Sequence, residues 1–435
     1  MKKIIGLLVF AAAVTFAVGA QNPKADFKAN ILKSGSNYYA YPYTDAPAPK
    51  LTAAPKGYKP FYIDHYGRHG SRWLIDRKQY SQPVDELAKG ERNGKLTARG
   101  AQVLAQLRDI LAGSKDRLGE LTDVGAAQHR GIGRRMYKNF PEVFAGNAHI
   151  TARSSVVIRC ILSMSNELQE LYALNPRLQI SEDASYADMY YCAHSDSVIT
   201  KLRKKNNADL EAFLKSLVHP ENLCKKLFTD QKFVADSINA EKMMTNLWDV
   251  CSNQQSHTTN VSFYDLFSAD EVYQLWQRVN AYWYVHGGYT RYTDYRAPYS
   301  QFDLLRDMLL TADKAVEKGV NTADLRFGHE SCLLPLACLM ELNNVGERDI
   351  PFEKLGERWQ NYNIFPMGCN IQWVFYQKPG SKDVLVKVLL NEAEAKLPVK
   401  TDMAPYYHWQ DVREYYWKKL NDYAAKHPDS DFKKN

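Results

Sequence analysis

The sequence lacks the residue spacings that mark several well-known kinds of site. Its seven cysteines include no Cys-x-x-Cys pair, which makes a structural zinc site a poor interpretation. None of them is followed by arginine six positions later, as in the loop of cysteine-dependent phosphoryl transfer. No Gly-x-x-x-x-Gly-Lys-Ser/Thr is present, so ATP-dependent transfer has no support. An odd number of cysteines leaves at least one unpaired within a monomer, and the sequence assigns no partners to the others.

Beyond the first 20 residues, the sequence also lacks apolar runs long enough to span a membrane. Two lysines precede an apolar run from Ile4 to Val18, and small residues follow it up to Ala20. A membrane anchor is the competing interpretation, but the run is short for a spanning helix and a small-residue cleavage site follows it. We therefore expect a signal peptide over residues 1–20, cleaved near Ala20. The protein would be exported, periplasmic or secreted, without a membrane span in the mature chain.

A large excess of either sign of charge is lacking as well. The chain has 56 lysines and arginines against 49 aspartates and glutamates, a formal net charge of +7. Such a mild balance helps to attract anionic small molecules, but without a concentrated basic stripe or a recognisable module it does not indicate nucleic-acid binding. The 435 residues exceed one ordinary hydrophobic core, so we expect two domains, in a protein that acts as a monomer.

The segment from Phe61 to Arg72 is the most informative one that is present. It places His69 between Arg68 and Arg72, directly after a short apolar run that we interpret as a buried strand. Two guanidiniums match phosphate oxygens, and their charge favours an imidazole that attacks as the neutral base. The alternative is a basic surface loop with an incidental histidine. The position after a strand favours a functional site, because ligands collect at the carboxyl ends of strands in α/β proteins.

Predicted strands and helices alternate in the part of the chain that follows this motif. Thr122 is a candidate N-cap of a helix that stops before Pro141, and residues 149–152 follow as a short strand. A second helical run covers residues 157–171, and residues 325–327 form a last short strand. This order predicts an α/β fold with a mostly parallel central sheet and helices packed on it.

The middle of the chain differs in character from both ends. Between residues 185 and 300, charge clusters alternate with helix-like stretches, and no strand-period pattern is found. We interpret this part as an inserted all-helical cap domain. The α/β domain would then be built in two parts, from residues 21–184 and 301–435.

A second candidate motif, His329-Glu330, follows the strand predicted at residues 325–327. Taken alone, an ordinary capped loop is the simpler interpretation. Cleavage of a phosphomonoester through a histidine needs a nucleophile, positive charge around the phosphoryl group and an acid that protonates the leaving oxygen. The two motifs together supply all three.

With both motifs in view, the chain resembles the histidine acid phosphatases, which pair an Arg-His-Gly-x-Arg loop with a distant His-Asp or His-Ala-Glu element. Residues 121–125 are similar to the family's Leu-Thr-x-x-Gly helix start, and residues 152–159 to its segment with arginines six apart. The resemblance implies a three-layer α/β sandwich of the phosphoglycerate-mutase type with an all-α cap. It implies neither a metal nor a cofactor.

The resemblance also implies a role for each candidate residue. His69 would be the nucleophile that forms a phosphohistidine, and Glu330 would donate the proton to the leaving group. The phosphate clamp would consist of Arg68, Arg72, Arg159 and His329.

The C-terminal third is most similar to one subfamily, the multiple inositol polyphosphate phosphatases. The similar stretches are residues 282–289, 327–335, 365–370 and 388–392. The implied substrate is a small phosphorylated molecule, an inositol polyphosphate such as inositol hexakisphosphate (phytate). Two alternatives stay open, namely a broad-specificity acid or sugar phosphatase on the same scaffold, and an exported phosphate-binding protein that has lost its chemistry.

Two positions depart from the family pattern. Glu330 follows His329 directly, where the subfamily has an intervening alanine and the commoner pattern has aspartate, and this puts the regiospecificity in doubt. Leu74 replaces the usual proline, a change that we interpret as structural. Cations beyond the clamp that could meet further phosphates are Arg77, Lys78, Arg130, Arg134, Lys201, Arg203, Lys204, Lys205, Arg291 and Arg296.

Overall fold

The computed structural model describes residues 22–43, 47–205 and 207–432. The signal peptide predicted for residues 1–20 lies outside these ranges and stays a prediction. Within them, no helix combines the length and the apolar character that a membrane span needs.

One mixed sheet organises the described part of the chain. Its strands are β1 (Lys59–Arg68), β2 (His149–Ser154), β3 (Gln179–Asp183), β4 (Thr322–Gly328), β5 (Asn370–Gln377), β6 (Leu385–Leu390), β7 (Ala393–Glu394) and β8 (Tyr407–His408). The order is β3-β2-β4-β1-β5-β6-β7, and β8 pairs with β6. Strands β1 to β4 are parallel to one another, whereas β5 to β8 add antiparallel pairs that the sequence patterns did not indicate.

Helices cover the sheet and make up the middle of the chain. The α-helices are α1 (Pro23–Ala29), α2 (Arg77–Arg92), α3 (Ala98–Gly113), α4 (Asp123–Asn139), α5 (Ile158–Leu174), α6 (Met189–Cys192), α7 (Ser197–Arg203), α8 (Ala208–Lys215), α9 (Glu221–Leu227), α10 (Gln231–Ser237), α11 (Ala240–Asn253), α12 (Ala269–Gly287), α13 (Phe302–Lys318), α14 (Glu330–Leu339), α15 (Phe352–Arg358), α16 (Asn361–Ile364) and α17 (Trp409–Lys426). Short 3₁₀ helices lie at Ile31–Tyr38, Tyr186–Asp188, Gln254–Ser256, Tyr264–Leu266, Arg291–Thr293, Ala297–Gln301 and Leu342–Asn344.

The elements predicted next to the motifs are present. The Thr122 hydroxyl accepts a hydrogen bond from the Gly125 amide at 3.2 Å and caps α4, which ends two residues before Pro141. The strands predicted at residues 149–152 and 325–327 are the cores of β2 and β4, and the predicted helical run is α5.

Side chains that alternate along β1 enter different layers. Tyr62 and Tyr66 join a hydrophobic cluster with α13, α14 and α17 on one face of the sheet. Ile63 joins a second cluster with Ile132 of α4 and Leu168 of α5 on the other face. The chain therefore forms helix, sheet and helix layers, which confirms the predicted α/β fold class.

The strand-free part of the chain has its own hydrophobic cluster. Residues 186–205 and 207–318 contain helices and no strand. A third cluster joins α11 and α12 to α2 and α3, through residues such as Leu87, Leu104 and Leu247. Two helices from the N-terminal part of the chain, α2 and α3, thus pack against the helical cap. The domain boundaries at residues 185 and 300 stay a prediction.

A buried ion pair connects β1 to β4 below the predicted site. Arg326 of β4 donates from Nη1 to Asp64 of β1 at 2.5 Å, and its Nη2 lies 2.7 Å from Asp307 of α13. Thr311 donates to the second Asp64 oxygen at 2.9 Å. Burial raises the pKa of Asp64 to about 7, and the Arg326 charge opposes that rise. These bonds fix the relative position of the two strands that carry the motifs.

His65 is a buried base in the middle of β1. Its side chain is 0% exposed and packs against Phe327, with ring centroids 5.4 Å apart. Neither ring nitrogen has a hydrogen-bond partner among the described residues. Burial lowers the pKa of His65 to about 3, so the ring is neutral in the folded protein at moderately acid pH.

This buried base makes the free energy of unfolding depend on pH. Because the folded pKa lies below the unfolded value, stability decreases as the pH falls below about 6.5. In a His65→Leu variant this contribution is absent, so the variant should gain about 3 kcal/mol relative to the wild type between pH 8 and pH 4.5. Urea denaturation followed by tryptophan fluorescence measures the gap. The control is His149→Leu at an exposed position of β2, and equal pH dependence of His65→Leu and the wild type would contradict the assignment.

Candidate active site

Three parallel strands end side by side at the site. Arg68 of β1 lies opposite Gly328 of β4, and Ser154 of β2 lies opposite Phe327. The residues that follow these strands therefore meet at one edge of the sheet. The two motifs, separated by more than 250 residues in sequence, become neighbours, and the rings of His69 and His329 lie 5.6 Å apart.

His69 presents a nitrogen lone pair to the site. Its side chain is fully buried, and Nδ1 lies 2.9 Å from the Gly70 carbonyl oxygen, so Nδ1 carries the hydrogen and donates it. Nε2 then carries the lone pair and makes no hydrogen bond within the described chain. Burial lowers the pKa of His69 well below the ordinary value, because the charged form would be poorly solvated there. The ring is neutral and available as a nucleophile.

Three arginines surround this nitrogen. Arg68 is 0% exposed, and its Nη1 donates to the carbonyl oxygens of Asn37 at 2.9 Å and Phe365 at 2.8 Å. Arg72 donates from Nη1 to the Trp73 carbonyl at 2.9 Å. Arg68 Nη2, Arg72 Nε and Arg159 Nε have no hydrogen-bond partner in the described structure. The arginines thus hold unused donors in a buried, positively charged site, which suits an anion.

Glu330 is the negative group inside this cluster. Its Oε2 lies 3.0 Å from Arg68 Nε and 3.4 Å from His69 Nε2, and its Oε1 lies 4.0 Å from Arg72 Nη2. Burial alone would raise the pKa of Glu330, but the positive charges of Arg68 and Arg72 outweigh it and hold the pKa well below the ordinary range. The carboxylate is ionised and balances part of the arginine charge.

His329 connects the two halves of the site. Arg159 Nη2 lies 3.5 Å from Nδ1 of His329 and donates to it, and Nε2 lies 3.1 Å from the Ser155 hydroxyl. The backbone amide of His329 donates to the Tyr66 hydroxyl at 3.2 Å. Burial lowers the pKa of His329 to about 4, so the ring is neutral above that pH. All six candidate residues are brought together.

The loop between Arg68 and Arg72 fits closely against α4. A Cβ at Gly70 would lie 2.5 Å from the Gly125 carbonyl oxygen, and a Cβ at Gly125 would lie 2.2 Å from the Ser71 carbonyl oxygen. Gln128 accepts from the Ser71 amide at 2.8 Å and donates to its hydroxyl at 2.9 Å. The glycine that ends the Leu-Thr-x-x-Gly segment is therefore required by contact with the loop.

One stripe of α5 supports the site at three points. Arg159, Ser163 and Glu167 are four residues apart and share a helix face. The Ser163 hydroxyl accepts from the Gly70 amide at 3.1 Å, and Glu167 contacts His129 of α4 at 2.9 Å. Sequence reasoning missed Ser163, Glu167 and His129. For Ser163 and Glu167 the signal was the four-residue spacing from Arg159 along a predicted helix.

The further cations differ in their surroundings. Arg134 pairs with Glu170, Arg291 with Asp209 and Arg296 with Asp429. Arg130 donates to Asn166 at 2.5 Å, and Arg203 donates to the His286 carbonyl at 2.7 Å. Exposed side chains are those of Arg77, Lys78, Lys201, Lys204 and Lys205.

His69, His329 and Glu330 also have the spacing of a metal site, since one ligand atom from each lies within 4.8 Å of the others. The surrounding charge argues against a cation at this point. A divalent ion would meet the guanidiniums of Arg68, Arg72 and Arg159, and repulsion at this range is substantial in a buried site. The donor set therefore favours an anionic ligand.

Comparison with known families assigns the chain. The sequence model of the histidine phosphatase superfamily (branch 2) matches residues 68–391, which span the chain from the first motif past the second. The chain belongs to this superfamily. It is therefore a histidine phosphatase, and the match includes all six candidate residues. The sequence of this phosphatase has no significant match among curated proteins.

Solved structures share the fold of this histidine phosphatase. The multiple inositol polyphosphate phosphatase of Bifidobacterium longum in complex with phosphate superposes with a TM-score of 0.69 at 19% identity, covering 88% of this chain and 97% of that one. Its complex with inositol hexasulfate gives a TM-score of 0.68 at the same identity and coverage. The phytase from D. castellii gives 0.67 at 15% identity, covering 93% of this chain and 91% of that one. At these identities the likeness establishes the fold.

The contact between Gly70 and Gly125 leads to a testable expectation. Gly70→Ala places a methyl group against backbone that cannot yield, so it should destabilise the phosphatase by about 1–3 kcal/mol and reduce its activity by displacing His69. Thermal melting and phosphate release measure both effects. The control is Gly113→Ala, whose Cβ would meet Trp73 at an ordinary 3.6 Å. A Gly70→Ala variant with the melting temperature and turnover of the control would refute the argument.

Proposed function

We propose that the protein hydrolyses phosphomonoesters through a phosphohistidine at His69, and that its preferred substrates are inositol polyphosphates such as inositol hexakisphosphate. The observation that carries this proposal is the free lone pair of His69 Nε2 inside a buried cluster of three arginines, with Glu330 3.4 Å away. A nucleophile, a cationic clamp and an acid are the requirements of this reaction.

In the first step the Nε2 lone pair attacks phosphorus in line with the ester oxygen. The N–P bond forms, the P–O bond breaks, and the bonding electrons leave with the alcohol oxygen, which takes a proton from Glu330. Arg68, Arg72 and Arg159 hold the equatorial oxygens with their unused donors. In the second step water attacks phosphorus, Glu330 accepts the water proton, and Nε2 recovers its lone pair.

Glu330 must move when a phosphoryl group enters. Its Oε2 lies only 3.0 Å from Arg68 Nε and 3.4 Å from the nucleophile, which leaves no space for a phosphorus atom between them. The carboxylate thus occupies the clamp in the absence of ligand. Once phosphate takes over the arginine charges, the attraction that keeps Glu330 ionised is relieved, and the carboxyl group can carry the proton that it later donates.

Two observations support an inositol polyphosphate as substrate. The phosphatase from Bifidobacterium longum that shares the fold was crystallised with inositol hexasulfate. Arg77 and Lys78 are exposed at the start of α2, two and three residues beyond Ile75. Ile75 and Arg159 both border Gly119, so these cations are available to phosphates that lie outside the clamp.

One feature favours the second candidate, a broad-specificity phosphatase. Apolar side chains are exposed near Arg159, with Ile75 at 57%, Leu118 at 40% and Ile158 at 64%. Such a rim suits an apolar leaving group better than a polyphosphorylated ring. Either enzyme would act after export, a proposal that rests on the leader predicted at residues 1–20.

The two catalytic roles give distinct expectations. His69→Ala should form no labelled phosphoenzyme from a radiolabelled substrate, because the attacking nitrogen is absent. Glu330→Gln should lower kcat by about 10²- to 10⁴-fold, the usual share of general acid catalysis. The same variant should bind inorganic phosphate more tightly than the wild type, since an amide competes poorly for the arginines. Unchanged kcat in Glu330→Gln would contradict the role of Glu330 as proton donor. Label retained on His69→Ala would contradict the role of His69 as nucleophile.

Substrate preference is tested by comparing kcat/KM for inositol hexakisphosphate, glycerol 2-phosphate and phenyl phosphate. We expect the hexakisphosphate to lead, and the Arg77→Ser/Lys78→Ser double variant to lose affinity for it with a weakened salt dependence. The control is Lys418→Ser, which removes an exposed lysine of α17. If phenyl phosphate instead has the highest kcat/KM, and if this kcat/KM decreases in an Ile158→Asn variant, the result would support the broad-specificity enzyme. Chromatography of the inositol products shows which phosphate leaves first.

A further inference from the structure

A buried dyad lies behind the His69 loop, and no step of the proposed reaction uses it. His129 of α4 is 1% exposed and Glu167 of α5 is 0% exposed. His129 Nδ1 lies 2.9 Å from Glu167 Oε2, and its Nε2 lies 3.2 Å from the carbonyl oxygen of Arg68. The imidazole thus connects α5 to the peptide group that joins Arg68 to His69.

The geometry of the dyad determines how many protons it holds. A carboxylate and a carbonyl are both acceptors, whereas a neutral imidazole has only one N–H. An ionised Glu167 and a neutral His129 together have a single N–H, which can serve only one of the two contacts. Both contacts are hydrogen bonds only if the pair holds one further proton. A carboxylic acid that donates to Nδ1 satisfies the count, and burial, which raises the pKa of Glu167 against the opposing effect of His129, favours that form. In every arrangement with that number of protons, the Nε2–H group of His129 donates to the Arg68 carbonyl oxygen.

The Arg68 carbonyl is a point at which the loop can be held without touching the substrate. The Arg68 side chain is anchored separately, through Nη1, by the carbonyl oxygens of Asn37 and Phe365. The backbone amide of Arg68 donates to the Cys369 carbonyl at 2.8 Å. The His69 amide, which belongs to the same peptide group as the Arg68 carbonyl, donates to the Gly328 carbonyl at 3.0 Å. Loss of the His129 bond would therefore leave the guanidinium in place and remove one of the two hydrogen bonds that hold the peptide group preceding His69.

We propose that His129, oriented by Glu167, is a positioning residue whose hydrogen bond to the Arg68 carbonyl aims the His69 lone pair at phosphorus. The proposal rests on the proposed function, because it assumes that His69 is the nucleophile. The clamp is anchored independently, so the dyad acts on kcat and leaves KM nearly unchanged.

Three variants test the dyad. His129→Phe keeps a ring of similar size but removes both hydrogen bonds, and it should lower kcat by about 10- to 100-fold, as expected for a nucleophile displaced by a fraction of an ångström. Glu167→Gln preserves the geometry, because its amide N–H donates to Nδ1 and leaves Nε2–H for Arg68, so kcat should stay within about threefold of the wild type. Glu167→Leu removes the partner of Nδ1, and its kcat should lie between those of His129→Phe and Glu167→Gln.

The matched control is Glu392→Gln. Glu392 is also a buried carboxylate that pairs with α4, through Arg135 at 2.7 Å. Its hydrogen bonds within the described residues go to Arg135 and Tyr41, away from residues 68–72. Steady-state kcat and KM are measured for all variants below their melting temperatures. Single-turnover labelling with radioactive substrate then measures how fast the phosphoenzyme forms on each.

Slow labelling of His129→Phe at unchanged KM, together with normal labelling of Glu167→Gln, would support the proposal. Labelling of His129→Phe at the wild-type rate, or equal losses of kcat in Glu167→Gln and Glu167→Leu, would overturn it while the proposed function stands. The comparison of the two Glu167 variants decides the matter even if His129→Phe does not fold. A wild-type enzyme that never becomes labelled would overturn the proposed function and this inference with it.

Discussion

The pairing of β1 with β4 is the interaction on which the rest of the structure depends. It places Arg68 opposite Gly328 and so brings both motifs to one edge of the sheet. A slip by one residue would send every side chain of a strand to the opposite face. The buried bond between Arg326 and Asp64 opposes such a slip, since the slip would leave two charges without partners in the core. The register of two strands is therefore a condition for the chemistry.

The site also has to keep several like charges together in a buried place. Three arginines lie close together there, and in the absence of ligand the Glu330 carboxylate lies between them and offsets part of their charge. The positive surroundings and the burial together keep His69 and His329 neutral. When an anionic ester enters, one anion replaces another, and the net charge of the cluster changes little. Exchange of this kind costs less than opening an empty cationic cavity, because the arginines are never left without negative charge nearby.

The parts of the fold that the sequence predicted are those with a local signal. Thr122 marks the start of α4 because a side-chain cap is read from one residue and its neighbours. Strand β5 was missed because seven of its eight residues are buried, so it shows no alternation. His129 and Glu167 were missed for another reason, since single polar residues on a helix look like solvated positions until the packing is known. The two motifs could be singled out in the sequence because phosphate chemistry restricts which residue types can serve.

The strand order has a consequence for the biogenesis of the enzyme. Strand β4 lies between β1 and β2, although both leave the ribosome long before it. The centre of the sheet stays open until the whole helical cap has been synthesised, and long-range pairing of this kind forms late in folding. A nascent chain that ends before Glu330 has the first motif of the site without the second. Insertion of β4 therefore joins the two motifs within the core, and the carbonyls of Phe365 and Cys369 that hold Arg68 complete the site only when the later part of the chain has folded.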